Sequence, residues 1–91
     1  MRFEWDEAKR QFNLLKHGFD FVGIEEVFAG DTVTILDDRF DYAEERFITL
    51  GLLNERVVVI VHTETHEMIR IISVRKATKN EETSYFQQVT D

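Results

Sequence analysis

The fold of this chain is decided by one stretch, Ile69-Arg70-Ile71-Ile72-Ser73-Val74-Arg75-Lys76-Ala77-Thr78-Lys79-Asn80-Glu81. Its first half is rich in β-branched residues and predicts a strand with arginines toward its end. Thr78 and Glu81 then have the spacing of a capping box, in which each residue satisfies a free backbone amide at a helix N-terminus. The stretch therefore predicts a strand that runs directly into a capped helix.

Working outward, the stretch is the last of three consecutive predicted strands: Arg46–Leu53, Arg56–Thr63 and Met68–Arg75. The connections Asn54-Glu55 and Glu64–Glu67 are short enough for hairpins, so these strands should be antiparallel neighbours. Val57–Val61 is apolar on both sides of the strand, which predicts a central position with both faces at least partly covered.

The N-terminal half predicts a short strand at Phe3-Glu4-Trp5 and then two helices. Asp6 is a suitable N-cap for the first helix, and Gly18 is a suitable left-handed stop. A second helix is predicted from Asp20, followed by a strand over Thr32–Leu36 and a charged loop at residues 37–45. Phe12, Leu15 and Phe19 recur at near-helical spacing. The predicted order is β-α-α-β-β-β-β-α, a small α+β domain with helices packed on an antiparallel sheet.

Composition restricts the class of protein. Ninety-one residues make one domain, spanning residues 1–91, and 43% hydrophobic residues exclude a disordered chain. The absence of cysteine excludes disulfides and thiolate metal sites, and the histidines His17, His62 and His66 lack a close metal-ligand spacing. No apolar segment has the length of a signal peptide or membrane span, so we expect a cytoplasmic protein.

Positive charge is concentrated in one part of an acidic chain. The formal net charge is −7, yet residues 46–80 contain six Lys/Arg and three Glu, a local net charge of +3. This asymmetry predicts that the basic part faces a polyanion.

The combined pattern of residues resembles the BrnT toxin family over almost the whole chain. The residues that carry the resemblance are Phe3-Glu4-Trp5-Asp6, Lys9, Asn13, Lys16-His17-Gly18, Phe21, Val27-Phe28, Glu44-Glu45-Arg46, Gly51, Val59–Glu64, Ile69-Arg70-Ile71-Ile72-Ser73, Arg75, Ala77, Glu81 and Tyr85. The resemblance implies a RelE-like fold and a ribonuclease toxin of a type II toxin–antitoxin pair that inhibits translation. It also implies neutralisation by a BrnA-like ribbon-helix-helix antitoxin in a hetero-tetramer, contact with operator DNA only through that antitoxin, and no cofactor or metal.

RNA cleavage without a metal needs a base, an acid and fixed cations for the charge that builds on the phosphate. Arg75 and Lys76 are candidate phosphate ligands, because they lie just before a helix N-terminus, where backbone amides also favour anions. Lys79 is a further RNA-binding candidate. The structural alternative for Arg75 and Lys76 is a solvated strand end paired with Glu81 or Glu82, and for Lys79 an ordinary surface position.

Arg70 and Arg46 are the other candidate catalytic cations. Arg70 lies mid-strand among isoleucines, where a cation is costly unless it is paired or faces a ligand; the alternative is a buried or edge salt bridge to a carboxylate such as Glu45. Arg46 opens its strand, and local pairing with Glu44 or Glu45 is its alternative. Arg70 and Arg75 are five residues apart and point to opposite faces of a regular strand, so both line one site only if a bulge or the strand end redirects Arg75.

His62 and Tyr85 are the candidate acid/base groups. Histidine titrates near neutrality, and His62 ends the central strand; a hydrogen-bonded structural histidine is the alternative. Tyr85 donates a proton or stacks on a base in one interpretation and packs the last helix in the other. Glu44 and Glu45 are alternative bases.

A second function competes with the nuclease prediction. The acidic surface also suits an inactive toxin relative that retains only partner binding and operon control, because it would attract a basic segment of that partner.

Overall fold

The computed structural model describes residues 1–39 and 43–90, so the middle of the predicted loop at residues 37–45 lies outside the described residues. The described elements are β1 (Arg2–Trp5), α1 (Glu7–His17), α2 (Glu25–Ala29), β2 (Val33–Asp37), β3 (Arg46–Leu53), β4 (Arg56–Thr65), β5 (Met68–Lys76) and α3 (Lys79–Val89). This is an α+β fold, and the predicted order of elements is confirmed.

The five strands form one sheet in the order β1-β5-β4-β3-β2, which confirms the central position of β4. The hairpin partners are antiparallel, whereas β1 lies parallel to β5 at the edge, so the sheet is mixed. The register pairs Phe3 with Ile69 and Trp5 with Ile71, which places the apolar residues of β1 on the same face as those of β5. This pairing spans more than sixty residues of sequence, and no local pattern predicts it.

The hairpin turns agree with their local sequence. Asn54 and Glu55 have φ angles of 50° and 67°, as the two central residues of a tight β3–β4 turn of the primed type require. The β4–β5 turn is shorter than predicted, because β4 continues to Thr65 and leaves only His66 and Glu67 in the connection.

The predicted helix caps are confirmed for α1 and α3. The Asp6 carboxylate accepts the Lys9 amide, and Gly18 ends α1 with a φ of 77°. Thr78 and Glu81 form both bonds of the capping box at the start of α3.

The second helix begins at Glu25 and not at Asp20, so the predicted start was wrong. The Asp20 carboxylate accepts the Val22 amide in a local turn, and Gly23 has a φ of 91°, which no regular helix contains. These two features delay the helix by about one turn.

Helix α2 and the segment that joins it to α1 cover one face of the sheet, which we call the helix-pair face. Its core is a cluster of apolar side chains: Phe21, Ile24, Val27, Val58, Ile60, Ile69, Ile71 and Val74. The other face is covered in part by Tyr85 of α3 and by Ala77, which precedes that helix; both cluster with Val57 and Val59.

Helix α1 is attached to the sheet by a polar residue. The buried Asn13 amide donates to the carbonyls of Val74 and Phe19, and its oxygen accepts the Val74 amide. Phe12 and Leu15, by contrast, are 64% and 89% exposed. The apolar side chains that predict this helix therefore do not form its buried side.

Candidate functional site

A β-bulge in β5 brings two separated arginines to one face of the sheet. The register of β4 with β5 pairs Thr63 with Arg70 and Val59 with Arg75, and it shifts between Val61 and His62. Thr63 and Val59 are four residues apart on β4, so they share a face. Because the bulge adds one residue to β5, Arg70 and Arg75 also share that face.

Arg46 lies on the same face. It precedes Phe47, which pairs with His62, so its side chain points away from the side on which His62 lies. Strand spacing places the backbones of Arg46 and Arg70 about 10 Å apart. Thr63 and Val59, the β4 partners of Arg70 and Arg75, are separated by about 13 Å along the strand. We call this surface, formed by Arg46, Arg70 and Arg75, the arginine face.

Arg39 is a cation of this surface that the sequence analysis missed. It lies near enough to Arg75 for its positive charge to oppose the ionisation of Arg75. Its own guanidinium bonds the buried Asp37 carboxylate through Nε at 2.8 Å and Nη2 at 3.0 Å. The Asp37-Asp38-Arg39 sequence at the end of β2 could have indicated this position, because an aspartate can form an ion pair with an arginine two residues later.

Arg75 is held at the N-terminus of α3 by the same carboxylate that caps the helix. Its Nη1 and Nη2 atoms donate to the two Glu81 oxygens at 2.9 and 3.0 Å, while Glu81 also accepts the Thr78 amide. The bond to Glu81 raises the pKa of Arg75, and the same bond lowers the pKa of Glu81 to about 2. The guanidinium is therefore fixed and charged.

Arg70 makes a looser pair. Its Nη1 atom lies 3.3 Å from the Glu4 carboxylate of β1, and both side chains are more than 40% exposed. An exposed pair of this kind stabilises the fold by less than about 1 kcal/mol. The arginines thus share one surface, but both arginines of β5 have a carboxylate partner. Arg75 pairs with Glu81, as its structural alternative predicted, whereas Arg70 pairs with Glu4 rather than with Glu45.

The two candidate lysines follow Arg75 in the chain, and the register pairs Lys76 with Val58, so the side chain of Lys76 points to the face opposite Arg75. Lys76 is exposed at the end of β5, and its carbonyl accepts a bond from Arg75 at 3.2 Å. Lys79 is the exposed first residue of α3. Their role as RNA ligands stays a prediction.

His62 lies on the helix-pair face, away from the arginines. It is fully buried, between the edge-on ring of Phe28 and the stacked ring of Phe47. Its Nε2 atom bonds the Thr49 hydroxyl at 2.7 Å, and its Nδ1 atom has no hydrogen-bond partner in the described chain. Burial lowers the pKa of His62 to about 4, so the ring is neutral at pH 7, and Glu64 at 3.7 Å is a neighbour and not an ion-pair partner.

This burial predicts a pH-dependent stability. The unfolded chain binds a proton at His62 near pH 6.5 and the folded chain only near pH 4, so stability is full above pH 6.5 and falls as the pH is lowered toward 4. The loss attributable to His62 is about 2–4 kcal/mol across that interval. Denaturant unfolding at pH 7.5, 6 and 5 should show a steeper loss for the natural chain than for His62→Gln. His66→Gln, in an exposed turn, is the control and should keep the natural slope; equal slopes for all three proteins would contradict the prediction.

Tyr85 is positioned by its own hydrogen bond. The ring is buried under α3, and the hydroxyl donates to the Asp31 carbonyl at 2.7 Å. Burial raises the pKa of this hydroxyl. The structure thus brings Arg46, Arg70 and Arg75 to one face, whereas His62 is buried on the other face and Tyr85 is buried with its hydroxyl on the Asp31 carbonyl.

Within residues 1–39 and 43–90, no helix is long and apolar enough to cross a membrane.

Comparison with known proteins gives one family. No curated protein matches the chain. The family described as "Ribonuclease toxin, BrnT, of type II toxin-antitoxin system" matches residues 5–81, which include both hairpins and every arginine of the arginine face. With that match over most of its length, the chain belongs to the BrnT family of ribonuclease toxins, whose members act in a pair with an antitoxin.

Proposed function

We propose that the arginine face binds the RNA backbone and stabilises the charge that develops during metal-independent cleavage. The observation that carries this proposal is the bulge in β5, which gathers Arg70 and Arg75 beside Arg46 in a chain of net charge −7. Guanidinium groups suit the task, because they stay ionised and grip two phosphate oxygens at once. Because these arginines lie on one face of an otherwise acidic protein, a polyanion would bind from that side.

Arg75 can engage a phosphate without leaving Glu81. A guanidinium has five N–H donors, and Arg75 uses three of them for the Glu81 oxygens and the Lys76 carbonyl. Within residues 1–39 and 43–90 its other two donors have no hydrogen-bond partner, so they can bond a ligand, and the adjacent α3 N-terminus favours an anion. Glu81 then acts as a positioning residue that orients Arg75 before substrate arrives, which lowers the entropic cost of binding.

The proposed reaction is an internal transfer at phosphorus. The 2′-hydroxyl loses its proton and bonds the adjacent phosphorus, the bond from phosphorus to the 5′-oxygen breaks, and that oxygen takes up a proton from water. The arginines stabilise the extra negative charge on the phosphate oxygens. Glu44 and Glu45, which are exposed and directly precede Arg46, supply the carboxylate that accepts the 2′ proton.

The partner in this proposal is a ribbon-helix-helix antitoxin that forms a hetero-tetramer with the toxin. In that complex only the antitoxin contacts the operator DNA. An acidic segment of the antitoxin covers the arginine face or lies beside it, where its carboxylates replace RNA phosphates. Free toxin cleaves RNA in the cytoplasm and stops translation, whereas the complex is silent. A complex that leaves the arginine face fully open would contradict this arrangement.

The function is tested by expressing the chain alone and together with the product of the neighbouring antitoxin gene. Growth arrest and RNA breakdown should occur only without the partner. Purified chain should cleave RNA equally in buffer with and without EDTA, because the proposed groups are all side chains. Intact RNA with folded protein would refute ribonuclease activity, and cleavage lost in EDTA would refute metal independence alone.

One observation favours a second candidate, a non-catalytic module that binds its partner and controls the operon. His62 is buried on the far face, and Tyr85 is buried with its hydroxyl bonded to a backbone carbonyl, so neither candidate acid/base group is exposed to a substrate on the arginine face. Partner binding with no toxicity from the lone chain would support this candidate.

A further inference from the structure

An apolar groove with a basic rim lies between α1 and the free end of β5. It has a volume of about 520 Å³ and is lined by residues that include Lys9, Phe12, Lys16, His17, Ile72 and Ser73. Strand β1 pairs with β5 only over Met68–Ile71, so the strand edge beyond Ile71 has no neighbouring strand in the described chain. Asn13 occupies that edge at Val74, and the groove is the gap that remains at Ile72 and Ser73.

The apolar side chains around the groove are unusually exposed. Phe12 is 64% exposed and Leu15 is 89% exposed, and together with Ala8 they follow one stripe of α1. An exposed apolar stripe beside a groove marks a surface that buries its side chains against another molecule. Phe12 is the natural anchor, because aromatic side chains dominate the binding energy of such contacts.

The charge around the groove defines the partner. Lys9 and Lys16 line the groove, although the chain as a whole has a net charge of −7. No residue among those that line the groove in the described chain is acidic. The Lys16 ammonium lies 5.8 Å from the Phe12 ring centre, so a cation and the apolar anchor are presented together. Carboxylates on an approaching segment would find cations at the rim and a hydrophobic floor below.

We propose that this groove binds an acidic, amphipathic segment of a protein partner. The apolar residues of the segment lie on Phe12 and Ile72, and its carboxylates pair with Lys9 and Lys16. Because Ile72 and Ser73 lie between Arg70 and Arg75 on β5, a segment seated there passes beside the arginine face. The identification of the partner as the antitoxin rests on the proposed function. The groove and the chemistry of the segment that it binds do not depend on that function.

The test uses an acidic amphipathic helical peptide of about 16 residues, with leucines at i, i+4 and i+7 and glutamates between them. A matched peptide with lysines in place of the glutamates and a short RNA oligomer are the other two probes. Amide chemical shifts of the full chain should move in α1 and at Ile72 and Ser73 with the acidic peptide only. Its affinity should fall as salt is added, since rim charges are screened.

Phe12→Ser and the double variant Lys9→Glu, Lys16→Glu should each weaken peptide binding at least about tenfold. Val22→Ser is the matched control, because Val22 is 62% exposed and lies elsewhere, and it should bind as the natural chain does. Equal binding of both peptides, shifts confined to other surfaces, no binding at about 1 mM peptide, or α1 shifts caused by RNA would each overturn the proposal. RNA cleavage by Phe12→Ser should equal that of the natural chain. A natural chain that binds the peptide without cutting RNA therefore refutes the proposed function and not the groove.

Discussion

Replacing Arg75 by alanine should lower the rate constant of RNA cleavage by about 10²–10³-fold, equivalent to about 3–4 kcal/mol of lost transition-state stabilisation. Arg75 is oriented by a two-bond contact to Glu81 and still has donors for a phosphate, so its loss removes a fixed charge from the arginine face. Arg75→Lys should recover only part of the rate, because an ammonium keeps the charge but not the paired geometry. Single-turnover cleavage of a labelled RNA by purified protein measures the effect.

Arg56→Ala is the matched control for this prediction. Arg56 is an exposed arginine at the start of β4 and lies outside the arginine face, so its loss should change the rate less than about threefold. Thermal unfolding should show that each variant is folded before rates are compared. Full activity of folded Arg75→Ala protein would remove Arg75 from the reaction and would favour the non-catalytic module.

Replacing Asn13 by alanine should lower the free energy of unfolding by about 3 kcal/mol or more. The buried Asn13 amide makes three hydrogen bonds to backbone groups of Val74 and Phe19, and each buried group left unsatisfied costs about 1–3 kcal/mol. Because a domain of this size is stable by only about 5–15 kcal/mol, the melting temperature should fall by roughly 12–24 °C. Chemical denaturation followed by far-UV circular dichroism measures the loss.

A nearly isosteric variant separates hydrogen bonding from packing. Asn13→Asp keeps the oxygen that accepts the Val74 amide but places a second oxygen against the carbonyls of Val74 and Phe19, so it should be at least as unstable as Asn13→Ala at pH 7. Asn80→Ala, at an exposed position of α3, is the control and should change stability by less than about 0.5 kcal/mol. An Asn13→Asp protein as stable as the natural chain would show that the amide bonds contribute little.

The candidate site was predictable in its residue types but not in its assembly. The arginines of the strand that precedes the capped helix stand out in an acidic chain. Side chains alternate along a strand, so the sequence also raises the question of whether Arg70 and Arg75 lie on the same face. Whether a bulge lies between them depends on how β4 and β5 align across the hairpin, which no residue in the stretch Ile71-Ile72-Ser73 specifies. Arg39 was missed because it reaches the site from a loop on a different strand.

His62 shows the opposite limit. Its residue type suggests an acid or base, and its position on β4 was predicted, yet the side of the sheet on which it lies depends on the whole register. Packing between Phe28 and Phe47 then determines its chemistry, because burial keeps the ring neutral. Neither aromatic neighbour is close to His62 in the chain.

The sequence by itself determined the order of the elements, the caps of α1 and α3, the Asn54-Glu55 turn and the concentration of positive charge, since each depends on residues within a few positions of one another. Only the tertiary structure decided that β1 lies parallel to β5, that Asn13 rather than Phe12 faces the sheet, and that Arg46, Arg70 and Arg75 share one surface. These features arise from strand register and helix docking, where residues far apart in the chain compete for the same space, and local propensity carries no information about that competition.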